Sequence, residues 1–150
     1  MRVCLGGTFY PLHKGHRKLI MTACRFAGPE GIVVVGVTEG EVIAHKQNIV
    51  PVDERIVKLK KVFDQFHCKR VDFVVITDRF GPAIVDFFDI IVVSRDTVES
   101  AVQINDIRRE KGLSVLDIVV VDIVLADDGA PICSSRIRVG EIDLDGHVLK

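Results

Sequence analysis

No apolar run in this sequence approaches the roughly 20 residues needed to cross a bilayer. The longest, at 32–35 and 118–121, are single-strand sized, so no membrane partner is expected. A glycine pair arrives at residues 6 and 7, which leaves no room before it for the apolar segment of a signal peptide. A cytoplasmic protein is expected. Positive charge is not in excess either: the formal net charge is -1, which argues against nucleic acid held through many phosphate contacts. The four cysteines, Cys4, Cys24, Cys68 and Cys133, contain no C-x-x-C pair. They suggest neither a zinc site nor a disulfide frame and read as reduced, mostly buried thiols. Internal repeats and low-complexity stretches are also missing. What remains is an ordinary globular composition, 48% hydrophobic and 27% charged over 150 residues, enough for one core and a single domain spanning 1–150.

Within that domain, short runs rich in valine and isoleucine recur at 3–5, 32–37, 71–76, 90–93 and 118–125. They lack the polar alternation of half-exposed strands, as expected for a parallel sheet covered on both faces. Between them lie helical periodicities. The first runs from about Gly15-His16 to Gly28-Pro29, with Leu19, Ile20, Ala23, Cys24 and Ala27 on one face. A second is predicted over 53–66, capped by Asp53, and a third over 98–111 with Ala101, Val102, Asn105 and Arg108 along one side, ended by Gly112. A short last helix should begin around Ser134-Ser135. Residues 36–48 read as a mobile loop near the site. The fold class is a doubly wound parallel α/β sheet.

The chemistry concentrates in Gly6-Gly7-Thr8-Phe9-Tyr10-Pro11-Leu12-His13-Lys14-Gly15-His16, between the first strand and the first helix. In an open α/β sheet this is where ligands bind. The glycines allow close backbone approach, and the helix N-terminus is expected to offer unpaired N–H groups and a positive dipole end to an anion. His13 and His16 add imidazole donors beside it. Their spacing also suits a metal pair, but no third ligand is nearby, so no metal site is expected; one of them could instead simply cap the helix.

The run Gly-Gly-Thr-Phe-x-Pro-x-His-x-Gly-His resembles the signature of the H-x-G-H nucleotidyltransferases, which implies a Rossmann-like fold. The segments Val50-Pro51-Val52-Asp53-Glu54-Arg55 and Pro131-Ile132-Cys133-Ser134-Ser135-Arg136-Ile137-Arg138 extend the likeness, together with Gly81-Pro82-Ala83, Val92-Val93-Ser94, Ile104-Asn105-x-x-Arg108 and Gly140-Glu141-Ile142-Asp143. Over nearly the whole chain the sequence is similar to the archaeal-type phosphopantetheine adenylyltransferases. The resemblance implies transfer of the adenylyl group of ATP to 4'-phosphopantetheine, in coenzyme A biosynthesis; Mg²⁺ is expected with the ATP, because this hard, water-rich ion usually accompanies nucleotide triphosphates. Tyr10, Cys133 and Arg95 depart from the family pattern, where Asp, Ser and Pro are usual, and Ser135 stands where Thr is usual.

By the same resemblance Thr8 positions the attacking phosphate, His16 stabilises the α-phosphate and His13 lies beside the nucleotide phosphates. Gly6, Gly7 and Phe9 belong to the phosphate loop, and Ser134, Ser135 and Arg136 hold the β/γ end. Ser134 has a capping alternative. Lys46 matches a phosphate-binding lysine loosely and a solvated surface lysine equally well; His45 has the same ambiguity. Asn105 and Arg108, three apart on one helix, are directed either at the acceptor or at solvent. Asp127 and Asp128 read as turn residues. His67 and His147 are assigned no role. Other phosphorylated acceptors, such as nicotinamide mononucleotide, or CTP with a phosphoalcohol, would use the same phosphate apparatus, and a non-catalytic nucleotide-binding module is the alternative of a different class.

Overall fold

The computed structural model describes residues 1–44, 46 and 48–149. The central strand β1 (Arg2–Gly7) leads into helix α1 (Lys14–Ala27), followed by β2 (Ile32–Thr38), α2 (Val52–Gln65), β3 (Val71–Ile76), β4 (Ile90–Ser94), α3 (Val98–Glu110), β5 (Asp117–Val121) and the short α4 (Ser134–Arg138). The described strands form one parallel sheet in the order β3-β2-β1-β4-β5. The chain therefore winds outward from β1 through β2 to β3, then returns across β1 to β4. Strand order reverses between β1 and β4, and their carboxyl ends open a crevice there.

Both faces of the sheet are covered, which is why its strands carry so little polar alternation. Val3 and Leu5 of β1, Val33, Val35 and Val37 of β2 and Ile90 and Val92 of β4 point into one core layer, against Ile20 and Ala23 of α1 and Leu59 and Phe63 of α2. The intervening Cys4, Val34, Ile91 and Val93 point the other way, to Ala101 and Ile104 of α3, with Phe88 and Leu116. Period-two geometry sends neighbours to opposite faces, so a strand buried twice must be apolar at every step. A third, small cluster of Ala126, Ile132 and Ile142 holds the C-terminal segment together.

Several boundaries differ from the sequence reading. Helix α2 starts after Pro51 and no side chain caps it, so Asp53 sits in its first turn rather than at its cap. On α3 the buried positions are Ala101, Ile104, Asn105 and Arg108, while Val102 is 46% exposed. The segment read as a loop from residue 36 begins as strand up to Thr38 and continues in a 3-10 turn, Gly40–Ile43. Parallel pairing with β3 reaches Thr38, which holds this stretch in the sheet. Cys4 is buried but the other cysteines are half-buried. No described helix is long and apolar enough to cross a membrane.

Candidate active site

The H-x-G-H run has a local physical logic. His13 is the N-cap of α1, in extended conformation, and its Nδ1 accepts the main-chain N–H of Gly15 at 3.0 Å and of His16 at 3.4 Å. In return His16 Nδ1 accepts the N–H of His13 at 3.3 Å, a capping box built from two imidazoles. The rings stack with centroids 3.7 Å apart. A Cβ on Gly15 would lie 2.9 Å from the His13 ring, so the residue beneath the folded-back imidazole has to be glycine.

This arrangement overturns one expectation. The first N–H groups of α1 are not open to an anion: the His13 ring takes two, and Lys14 N–H donates to the Leu144 carbonyl at 3.1 Å. The imidazoles stand in their place. A ring nitrogen that accepts a hydrogen bond carries no proton, so each neutral ring bears its proton on Nε2. Burial depresses the pKa of His13 from 6.5 to about 4. Burial also lowers His16, to about 3; the neighbouring His13 adds to this, against the opposing pull of the Pro11 carbonyl, and the Lys46 ammonium contributes further. Both rings are neutral hydrogen-bond donors at physiological pH.

They line a cavity of about 530 Å³ at the carboxyl ends of β1, β4 and β5, with Gly6, Gly7, Thr8, Lys46, Ser134 and Arg138. Lys46 is not a solvated surface group. Its Nζ donates to Thr8 Oγ1 at 2.7 Å, and Thr8 Oγ1 lies 2.9 Å from Thr38 Oγ1. Burial, then Arg138 and Arg55, lower the pKa of this lysine. A second cavity of about 190 Å³ adjoins the first along Gly6, Gly7, Thr38 and Val93, and its remaining walls are largely apolar, including Val34, Ile76, Phe80, Ala83 and Ile104. A Cβ on Gly6 or Gly7 would meet protein atoms only at 3.4–3.9 Å, so what these glycines leave open is cavity space.

Other expected residues lie elsewhere. Phe9 is 3% exposed and packs in the core, its ring edge against His16 with centroids 5.4 Å apart; it supports the imidazole while touching the cavity wall. Arg136 is turned away from the cavity: it pairs with Asp128, with Glu141 at 2.9 Å, and with the Pro131 carbonyl at 2.9 Å. Its neighbour two positions on, Arg138, reaches the cleft and donates to the Tyr10 carbonyl at 3.3 Å. Ser135 does not line the cavity, and its hydroxyl lies 3.3 Å from the Cys133 sulfur. Cys133 is the N-cap of α4 and makes no side-chain cap bond, so Ser134 does not cap this helix and lines the cleft instead.

Asn105 and Arg108 face neither acceptor nor solvent. The Asn105 amide exchanges two hydrogen bonds with the Leu116 main chain, at 3.0 and 2.8 Å. Arg108, 1% exposed, donates to the carbonyls of Ser114, Ala83 and Asp86 at 2.7–2.9 Å. Both fasten α3 to its flanking loops, because an unpaired buried carbonyl is costly. Arg95 pairs with Asp122 at 3.2 Å near the cleft mouth, and Asp127 pairs with His147 at 3.0 Å. His45 lies outside the described residues. Among those described, the one group of three possible metal ligands, Asp143, Asp145 and His147, is on the C-terminal loop and not in the cleft.

Sequence reasoning missed Arg55, which is 1% exposed beneath the site. Its guanidinium donates to the carbonyls of Thr8 (3.1 Å), Thr38 (2.7 Å) and Val50 (3.0 Å) and lies 3.5 Å from the Glu39 carboxylate. In sequence it followed Asp53 and Glu54 as one more helix charge, and only its place in the Val50-to-Arg55 segment marked it.

A sequence model described as cytidylyltransferase-like matches residues 4–140. The chain is 43% identical over 154 residues to the protein named phosphopantetheine adenylyltransferase from Methanothermobacter thermautotrophicus, covering 99% of this chain and 89% of that one. It is 40% identical to the protein of the same name from Methanosarcina acetivorans, over 98% of this chain and 95% of the relative. Among solved structures, a protein of unknown function from Archaeoglobus fulgidus superposes with a TM-score of 0.74 at 36% identity, covering 81% of this chain and 90% of that one.

Proposed function

This chain belongs to the cytidylyltransferase-like family, and we infer that it transfers the adenylyl group of ATP to 4'-phosphopantetheine, giving dephospho-coenzyme A and pyrophosphate. It is a nucleotidyltransferase of coenzyme A biosynthesis. The observation that carries the substrate assignment is the meeting of two unlike cavities at Gly6, Gly7 and Thr38, one lined with imidazole, ammonium and hydroxyl donors, the other mostly apolar. A phosphate monoester with a long, weakly polar arm suits that junction: its phosphate reaches the donors while the arm occupies the smaller cavity.

In this reading an acceptor phosphate oxygen forms a bond to the α-phosphorus as the bond to the β-phosphate bridging oxygen breaks, and pyrophosphate departs. The attacking phosphate is already largely a dianion at neutral pH, with a second pKa near ~6, so it needs no general base. Thr8 and Lys46 hold it. The Nε2–H groups of His13 and His16 donate to the α-phosphate oxygens, where charge builds in the transition state. Ser134 and Arg138 take the β/γ end. Mg²⁺ would add neutralisation of the pyrophosphate charge. An ion held by phosphate oxygens and water, the usual manner of Mg²⁺ with nucleotides, would need few protein ligands, and Asp96 and Asp122 are the carboxylates that line the cleft. Two water-soluble substrates support a cytoplasmic setting for the reaction.

The test is mass detection of dephospho-coenzyme A from ATP, phosphopantetheine and Mg²⁺. Nicotinamide mononucleotide, and CTP with phosphoalcohols, run in parallel. Turnover with one of these and none with phosphopantetheine reassigns the acceptor; ATP binding without turnover on any acceptor makes the protein a sensor.

A further inference from the structure

The ladder between β1 and β2 ends at the pair Gly7 and Val37, so in that register Thr8 and Thr38 are the next residues across from each other. Beyond that point the strands would part, since β1 ends at Gly7. Arg55 supplies the missing rung. Its Nη1 donates to both carbonyls, Thr8 O at 3.1 Å and Thr38 O at 2.7 Å, while Nε holds Val50 O at 3.0 Å. With the two main chains tied, the hydroxyls of Thr8 and Thr38 stand 2.9 Å apart, and Lys46 Nζ completes the row at 2.7 Å from Thr8 Oγ1. Lys46 lies on the connection between β2 and α2 whose two ends, Thr38 and Val50, Arg55 grips.

We propose that Arg55 is a positioning residue for the transfer: by bridging the ends of β1 and β2 it sets the spacing of a Thr38, Thr8, Lys46 row that receives the acceptor phosphate. Arg55 touches no substrate, being sealed from the cleft, and acts only through that row. The choice of arginine follows from its geometry, because a planar fork reaches three carbonyls through Nη1 and Nε while Nη2 lies 3.5 Å from the Glu39 carboxylate without a hydrogen bond, whereas a lysine ammonium is a single point. Thr38 also borders the apolar cavity, so the row stands where the acceptor's phosphate joins its arm. The inference rests on the function proposed above for the identity of the acceptor.

The test is Arg55→Lys in the full chain. Circular dichroism is expected to show it folded, with ATP affinity by calorimetry within about twofold. The KM for phosphopantetheine should rise, or kcat fall, by about tenfold or more, since misplacement by about an ångström can cost ~10²-fold. A readout independent of turnover is the pH dependence of Lys46 labelling by an amine reagent, followed by mass spectrometry. Its midpoint should move upward toward that of an ordinary lysine when the row loosens. Acceptor kinetics within twofold of wild type, or an unmoved Lys46 midpoint in the folded variant, would overturn the proposal. If Arg55→Lys does not fold, Thr38→Val decides: acceptor kinetics within twofold of wild type rule the row out, and a selective acceptor defect supports it. A wild-type protein that does not turn over phosphopantetheine defeats the acceptor assignment alone, and the Lys46 midpoints still decide the role of Arg55.

Discussion

Replacing His16 by Ala separates the two roles that the structure gives this imidazole. Its Nδ1 accepts the His13 N–H at 3.3 Å, a long bond, and losing such a cap interaction costs about 0.5–2 kcal/mol of stability, here toward the lower end. Its Nε2–H is the donor left for the cleft. Removing a donor that meets charge in the transition state commonly lowers the rate ~10²–10³-fold, or about 2.7–4 kcal/mol. The expected variant is therefore folded, binds ATP within about threefold of wild type, and loses most of kcat. His16→Gln is the informative partner, because its side-chain amide carries both an oxygen able to accept the His13 N–H and an N–H donor near the Nε2 position. It should recover about tenfold, or ~1.4 kcal/mol. With the His16 pKa near 3, the imidazole does not titrate in the working range. The acid limb of the rate profile should thus follow the acceptor phosphate near pH ~6 and persist in His16→Gln. The assay is pyrophosphate release, with calorimetry for ATP and circular dichroism for folding. Gln no better than Ala in folded, ATP-binding proteins, or an acid limb that disappears in His16→Gln, would refute the neutral-donor account.

Arg138→Ala should raise the KM for ATP several-fold, whereas Arg136→Ala, which breaks the pairs to Asp128 and Glu141, should lower Tm and leave ATP affinity within about twofold; calorimetry and thermal melts separate the two. Asn105→Ala leaves a buried N–H and a buried carbonyl of Leu116 unpaired, and should cost about 2–4 kcal/mol in urea unfolding with kcat unchanged. Because the folded pKa of His13 lies below its ordinary value, the unfolded chain takes up the proton first as pH falls; the stabilisation is present above about pH 6.5 and is lost toward pH 4. At pH 5 the loss from His13 is about 2 kcal/mol. His13→Asn, which keeps a capping oxygen and cannot titrate, should flatten that part of the pH dependence measured by urea denaturation.

How far the site was legible depended on the range of the interactions involved. The capping role of His13 is local, set within four residues, and the spacing alone allowed it. That the helix amides are spoken for was not legible, since one partner is the Leu144 carbonyl, 130 positions away. Arg136 and Arg138 look equivalent in sequence; which of them enters the cleft follows from how the α4 segment docks, with Asp128 and Glu141 holding the first. Whether Lys46 meets the cleft or solvent, and that Arg55 is buried at all, could not be read from sequence for the same reason. A lysine in a polar loop and an arginine after two acids in a helix have the composition of surface, and only the closing of the loop onto Thr8 and Thr38 buries one and half-buries the other.

The sequence by itself determined the alternation of apolar runs and amphipathic helices, and hence a parallel sheet covered on both faces, because strand burial and helix periodicity are properties of neighbouring residues. It also determined the glycine loop and the paired histidines before α1. Tertiary structure decided the strand order that opens the crevice between β1 and β4, the donor row of Thr38, Thr8 and Lys46, and the diversion of Asn105, Arg108 and Arg136 to structural bonds. Those outcomes depend on which carbonyls and carboxylates come within about 3 Å of a side chain, a distance set by contacts between segments far apart in the chain.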